Sequence, residues 1–208
     1  MKKWLLITIL ALFISPLYAN DIYVTQSGDD LDLDITQDGQ NNVAGTSQTA
    51  IGLTGDTMTF SISQVGNSNV VSTIINGDTY TGNINLTGSS NNVALLCSSG
   101  GAGNCETVSM SIDVTGSSAD IDVTIGNSAA ATNYVGTIDI TSTNDETFTL
   151  TANAANADAD IDITNNAQGS SVGNTANYTQ TGAGDSAGHS LTHRHTGEGA
   201  TIDVTQTG

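Results

Sequence analysis

Gly55, Gly66, Gly77 and Gly88 stand 11 residues apart, as do Gly28 and Gly39 towards one end and Gly197 and Gly208 at the other. A fixed period constrains a fold more than composition does, because each repeat must bury its apolar face against its neighbours. Within each 11-residue unit, seven residues of alternating character precede a four-residue turn rich in Gly, Asn, Ser and Asp, such as Asp38-Gly39-Gln40-Asn41. Alternation at period two predicts a strand, and these turn residues tolerate the backbone angles that reverse a chain. The expected turn glycines are Gly28, Gly39, Gly66, Gly77, Gly88, Gly116, Gly182 and Gly197.

With longer loops at 49–57, 98–107, 126–135, 166–173 and 181–188 and one extra residue at 143–147, the period lays out 15 strands. They are 20–26, 31–37, 42–48, 58–64, 69–75, 80–86, 91–97, 108–114, 119–125, 136–142, 148–154, 159–165, 174–180, 189–195 and 200–206. If positions 1, 3, 5 and 7 of each strand point inward, the interior receives sets such as Leu31/Leu33/Ile35/Gln37 and Ala119/Ile121/Val123/Ile125. No Asp, Glu or Arg is then expected inside, and Asp21, Asp32, Asp34, Asp113, Asp120, Asp122, Asp139, Asp160, Asp162 and Asp203 fall on outward positions. A disordered chain has no reason to partition its charges in this way. The expected fold is all-β: a β-solenoid of about 22-residue two-strand coils made of 11-residue half repeats, with two facing parallel sheets stacked at about 4.8 Å.

Lys2 and Lys3 precede the apolar run 4–14, and Leu17-Tyr18-Ala19 offers a small-residue cleavage site. Residues 1–19 therefore read as a secretory signal peptide, too short in its apolar run for the roughly 20 residues of a spanning helix, and 20–208 as the repeat domain. The remaining chain carries Arg194 as its one basic residue against 21 acidic ones, a formal charge of −20. Such a surface repels nucleic acid and anionic membranes, so neither a nucleic-acid partner nor membrane insertion is expected.

Amides recur in register with the turns. Asn20…Gln26, Asn42…Gln48 and Asn174…Gln180 share one spacing, and Gln37…Asn42 and Gln64…Asn69 share another. Asn91 and Gln206 take the same positions. Each points into the narrow corner beside a turn, where an amide can bond to turn backbone or to the amide of the next coil, as in cross-β ladders. In these spacings, and in the turns "TQDGQNN" (36–42) and "SQVGNSN" (63–69), the chain resembles the curlin family. The fuller matches occupy about a third of the chain beyond residue 19, and in the middle Leu86, Val114, Ile125 and Cys97 replace amides. The resemblance implies a secreted subunit of an extracellular amyloid fibre at the cell surface. It would self-assemble, act with other curli-type subunits and an outer-membrane secretion pore, and support adhesion and biofilm matrix.

Other chemistry is sparse. Cys97 and Cys105 flank "SSGGAGN" in a chain expected to be exported, which predicts a local disulfide. His189, His193 and His195 fall on inward positions of one strand, spread along a row instead of converging on a point, so a polar substitution in the amide ladder is expected and no metal site. With every carboxylate placed outside, no catalytic pair, cofactor site or enzymatic activity is expected. An acidic adhesin or calcium-responsive surface protein is an alternative, without the glycine-rich aspartate nonapeptide of toxin-like β-rolls. An ice-binding solenoid is a further one. Thr25, Thr36, Thr124, Thr141, Thr164, Thr179 and Thr205 share position 6, but Asp113, Ser63, Ile74, Asn85, Leu96 and Arg194 interrupt that rank. Stacking of alternate strands also predicts Asp139 beside Asp162, with Asp160 one step along.

Overall fold

A computed structural model describes residues 20–39, 41–45, 50–66, 68–88, 90–97, 105–116, 118–126, 131–143, 146–165, 174–182, 189–197 and 199–207. The expected signal peptide lies outside them. Sixteen strands follow in chain order: β1 (Asn20–Ile22), β2 (Thr25–Ser27), β3 (Asp32–Asp38), β4 (Asn42–Ala44), β5 (Ile51–Thr54), β6 (Met58–Val65), β7 (Ser68–Asn76) and β8 (Thr79–Thr87). After these come β9 (Ser90–Cys97), β10 (Thr107–Thr115), β11 (Ser118–Ile125), β12 (Ala131–Ser142), β13 (Glu146–Asn165), β14 (Asn174–Thr181), β15 (His189–Thr196) and β16 (Ala200–Thr207). The described residues contain no helix.

Every pairing is parallel, and successive segments alternate between two ladders. The first runs β1/β2, β4/β5, β7, β9, β11, the first half of β13, β14 and β16. The second runs β3, β6, β8, β10, β12, the second half of β13, and β15. Because β13 belongs to both, the whole is one 16-stranded, curled, solenoid-like sheet. The period-two pattern explains its core: β8 alternates exposed and buried residues without interruption, with Tyr80, Ile84 and Leu86 among the buried ones.

In the second ladder Ile35, Ile62, Ile84, Ile112, Ile138 and Ile161 form one column that ends on His193. All six isoleucines are buried. A fully buried side chain of this size contributes roughly 1.5–3 kcal/mol, and branching at Cβ suits the pleat. Phe60 against Tyr80 and Phe148 against Tyr178, with ring centroids 6.4 and 5.6 Å apart, belong to the same buried hydrophobic cluster.

The register corrects the sequence frame in three places. Residues 136–142, 148–154 and 159–165 were placed two residues late: Tyr134 pairs with Val108, Glu146 with Ala119, and Ala157 with Tyr134. No turn interrupts 155–158, and β13 passes between ladders at Asn153–Ala154 in extended conformation, because Ala154-Ala155-Asn156-Ala157 contains no glycine to reverse it. The strand expected at 42–48 breaks after Ala44, where Gly45 adopts φ 70°, and resumes as β5.

Candidate functional site: the amide columns

Asn20, Asn42, Asn69 and Asn91 occupy one column of the first ladder. Asn69 Nδ2 donates to Asn42 Oδ1 at 3.0 Å, and Asn91 Nδ2 donates to Asn69 Oδ1 at 2.8 Å. Asn42 Nδ2 reaches the carbonyl of Val65 at 3.1 Å, tying the column to the strand of the other ladder. Asn42, Asn69 and Asn91 are buried, where unpaired amides cost about 1–3 kcal/mol each. Asn174 continues the register after Ala119 and Glu146, and the side chains of Asn20 and Asn174 lie outside the described residues.

The turn glycines above this column have a different reason from the expected one. Gly66, Gly88 and Gly116 do not adopt the left-handed backbone that Gly28, Gly182 and Gly197 adopt. A Cβ on each would instead overlap the amide oxygen of Asn42, Asn69 or Asn91 respectively. At these three positions glycine gives the asparagine column room to stack.

The glutamines form two shorter columns. Gln64 Nε2 donates to Gln37 Oε1 at 2.5 Å, and Gln37 Nε2 to the Val43 carbonyl at 3.0 Å. Near the other end Gln206 Nε2 donates to Gln180 Oε1 at 2.5 Å, and Gln180 Nε2 to the Ser190 carbonyl at 3.2 Å. The columns stop where the sequence turns apolar: Gln64 meets Leu86, Asn91 meets Ala119, and the side-chain oxygens of Gln64 and Asn91 are buried without a partner. Gln26 has no amide above it, because Leu53 of β5 fills the place given to Gln48. Gln48 itself lies outside the described residues.

Two interior groups were missed. Glu146 is 1% exposed and stands in the asparagine column between Ala119 and Asn174, accepting a hydrogen bond from Ser142 Oγ. It contradicts the expectation that no acidic residue points inward: the two-residue error in register had put it in a loop. Asn156 Nδ2 donates to Asn133 Oδ1 at 3.0 Å where β12 and β13 run side by side, a pair detectable only from their 23-residue separation.

Cys97 and Cys105 are joined, with Cα atoms 6.1 Å apart, and Cys97 fills a column position beside Ile75. His189, His193 and His195 lie on β15 in the inward row, half-buried. His193 Nδ1 is 2.5 Å from the Tyr178 hydroxyl, and the His193 and His195 rings stack at 6.2 Å. No group of three or more His, Cys, Asp or Glu capable of holding a metal occurs among the described residues.

On the outside of the second ladder Asp113, Asp139 and Asp162 stand in one column capped by Arg194. Arg194 bonds Asp162 at 2.6 Å and Asp160 at 2.9 Å. Partial burial, then the charges of Asp162, Asp113 and Asp160, raise the pKa of Asp139, whereas the guanidinium holds that of Asp162 below the usual carboxylate range. The predicted Asp139–Asp162 neighbours are thus real, but one of the two is already neutralised by a cation.

No family model, curated protein or solved structure matches the chain.

Proposed function

We propose that this chain is a structural subunit of an extracellular, curli-like amyloid fibre, exported after loss of residues 1–19 and stacking end to end at the cell surface for adhesion and matrix formation. In this reading the two ladders face one another as the walls of a flat solenoid with coils of 22 residues or more. Bonds that cross between them, Asn42 to Val65 and Gln180 to Ser190, support that geometry.

The observation that carries the proposal is the state of β16. Among the described strands it pairs with β14 alone, and its inner row is bare, with Ile202 42% and Val204 50% exposed. Gln206 closes the same row, extending the column begun by Gln180. An unpaired strand edge is a template for another chain, and a row of apolar side chains ending in an amide fits another copy of the same repeat. Secretion partners of the curli type, including an outer-membrane pore, belong to this reading.

The test is assembly of residues 20–208. Thioflavin-positive fibres with a meridional reflection at about 4.7–4.8 Å are expected. A folded monomer that never polymerises, alone or on seeds, rejects the fibre reading.

A further inference from the structure

The strands divide unevenly between the two ladders. Among the described residues the first holds eight layers, from β1/β2 to β16. The second holds seven, from β3 to β15. Segments alternate between ladders, so the layer that would follow β16 belongs to the second ladder, beside β15. Both ends of the stack are open: among the described strands β15 pairs with β13 alone, β16 with β14, β3 with β6, β1 with β4 and β2 with β5. Inner-row apolar residues that the single chain leaves incompletely buried collect at these ends, Ile22, Leu31 and Leu33 at one and Leu191, Ile202 and Val204 at the other.

We propose that successive copies join head to tail through a half-turn about the fibre axis, β15 pairing with β1/β2 of the next copy and β16 with β3 of the next copy. The inference rests on the fibre reading above and on ladders that face one another. It follows from the odd number of half coils in residues 20–208. A copy added without rotation would lay its β1/β2 on β16 and leave one layer unfilled beside β15. The half-turn fills both ladders and advances the fibre by half of the fifteen layers, about 36 Å at the strand spacing.

The inner rows match across this joint. In each of the four end segments the last inward residue stands two before a glycine: Gln26 before Gly28, Gln37 before Gly39, His195 before Gly197 and Gln206 before Gly208. Aligned on that glycine, Ile202 and Val204 meet Leu33 and Ile35 of the next copy, and Leu191 meets Ile22 of the next copy. Gln206 meets Gln37 of the next copy, which joins the bonded pair Gln180–Gln206 to the bonded pair Gln37–Gln64 in one column. His195 meets Gln26 of the next copy, so polar groups cover polar groups at both corners, and apolar groups cover apolar ones between them. Charge sets the polarity. Two heads would bring together the outward Asp32, Asp34 and Asp38 of each β3, whereas the tail strands hold Arg194 and one carboxylate, Asp203. That carboxylate stands beside Asp34 of the next copy, a repulsion peculiar to the rotated joint.

The experiment grows fibres of residues 20–208 from equal mixtures of two single-cysteine variants and oxidises them mildly. The native cysteines are already joined, so each variant carries one free thiol. Thr205→Cys mixed with Thr36→Cys, outward neighbours across the rotated joint, should give about 10-fold more disulfide-linked dimer than Thr205→Cys mixed with Thr25→Cys, the pair an unrotated joint brings together. All three threonines are exposed, so the variants should fold as wild type. Asp203→Asn, which removes the repulsion with Asp34 of the next copy, should speed elongation about 2-fold at low salt, and Asp21→Asn, which faces Ser190 across the joint, should not. Dominant crosslinking of Thr205→Cys to Thr25→Cys or to itself, crosslinking equal in all mixtures, or equal gains in Asp203→Asn and Asp21→Asn each overturns the rotated joint and leaves the fibre reading standing. A chain that forms no thioflavin-positive fibres rejects the fibre reading, and the joint with it.

Discussion

Asn69 is bonded on both sides by its own kind, donating to Asn42 and accepting from Asn91. Asn69→Ala removes both bonds and leaves two further amides buried and underbonded, for an expected loss of about 2–4 kcal/mol in urea unfolding. Thr59→Ala, exposed on β6, should stay within about 0.5 kcal/mol of wild type. Equal effects of the two would remove the amide column as a source of stability. Asp139 and Asp162 are paired neighbours with opposite linkage. The raised folded-state pKa of Asp139 gives stability that is full below the unfolded carboxyl value and lost as pH rises through the raised one. The lowered pKa of Asp162 gives stability present above the unfolded value and lost as pH falls through the lowered one. At pH 7, Asp139→Asn should therefore raise the unfolding temperature, by about 1–2 °C, and Asp162→Asn should lower it. The same direction for both variants would mean that Arg194 does not discriminate between the two carboxylates. Spacing alone placed Asp139 beside Asp162. It could not show that Arg194 folds back over two strand neighbours, because the reach of a long side chain leaves no periodic trace.

Elements with clean turns were read correctly from the sequence, and elements without them were not. β8 and β11 lie between glycines and, like β10, begin within one residue of their expected places. β12 and β13 begin before their expected starts and β13 runs through 155–158 with no glycine to mark the corner, and a shift of two keeps the inward parity while moving every column. That parity is why the core was legible while Glu146 was hidden. β15 has the most pH-sensitive interior. The pKa of His193 is lowered by burial and then by His195, with Asp162 opposing, and burial lowers that of His195; the Tyr178 hydroxyl faces His193, while Arg194 points outward. A depressed histidine pKa gives stability that is present above the unfolded value of about 6.5 and lost as pH falls through the folded one. Between pH 7 and pH 5 the amides of β15 should lose hydrogen-exchange protection, and the unfolding temperature should drop by about 2–4 °C. His193→Gln with His195→Gln should flatten that response, and an unchanged drop would assign it to the carboxylates instead.

For the whole molecule, the two ladders differ in the charge on their outer rows: towards the C-terminus Asp139, Asp158, Asp160, Asp162 and Arg194 stand among the hydroxyls of one, and Asp203 alone among those of the other. A parallel sheet of this kind grows in one direction only, along the strand spacing, so whatever is added must meet an edge strand. The inner row of β16, an edge row like those of β15, β3 and β1/β2, is the surface to test because its apolar side chains are exposed. Ile202→Lys with Val204→Lys places two ammonium groups where the next strand would lay its apolar row, and burying them unpaired is costly. Both side chains are exposed in the single chain, so the monomer should fold with its disulfide and strand content intact. Seeded elongation should fall by about 10-fold or more, since each added subunit must desolvate the charges, and the folded variant should also cap wild-type fibres when added in small amounts. Thr205→Lys, one residue beyond Val204 on the outer face of the same strand, supplies the control: it should leave elongation near the wild-type rate, because an outward side chain does not enter the stack. Elongation slowed equally by both variants would mean that net charge on β16, and not its inner row, governs growth.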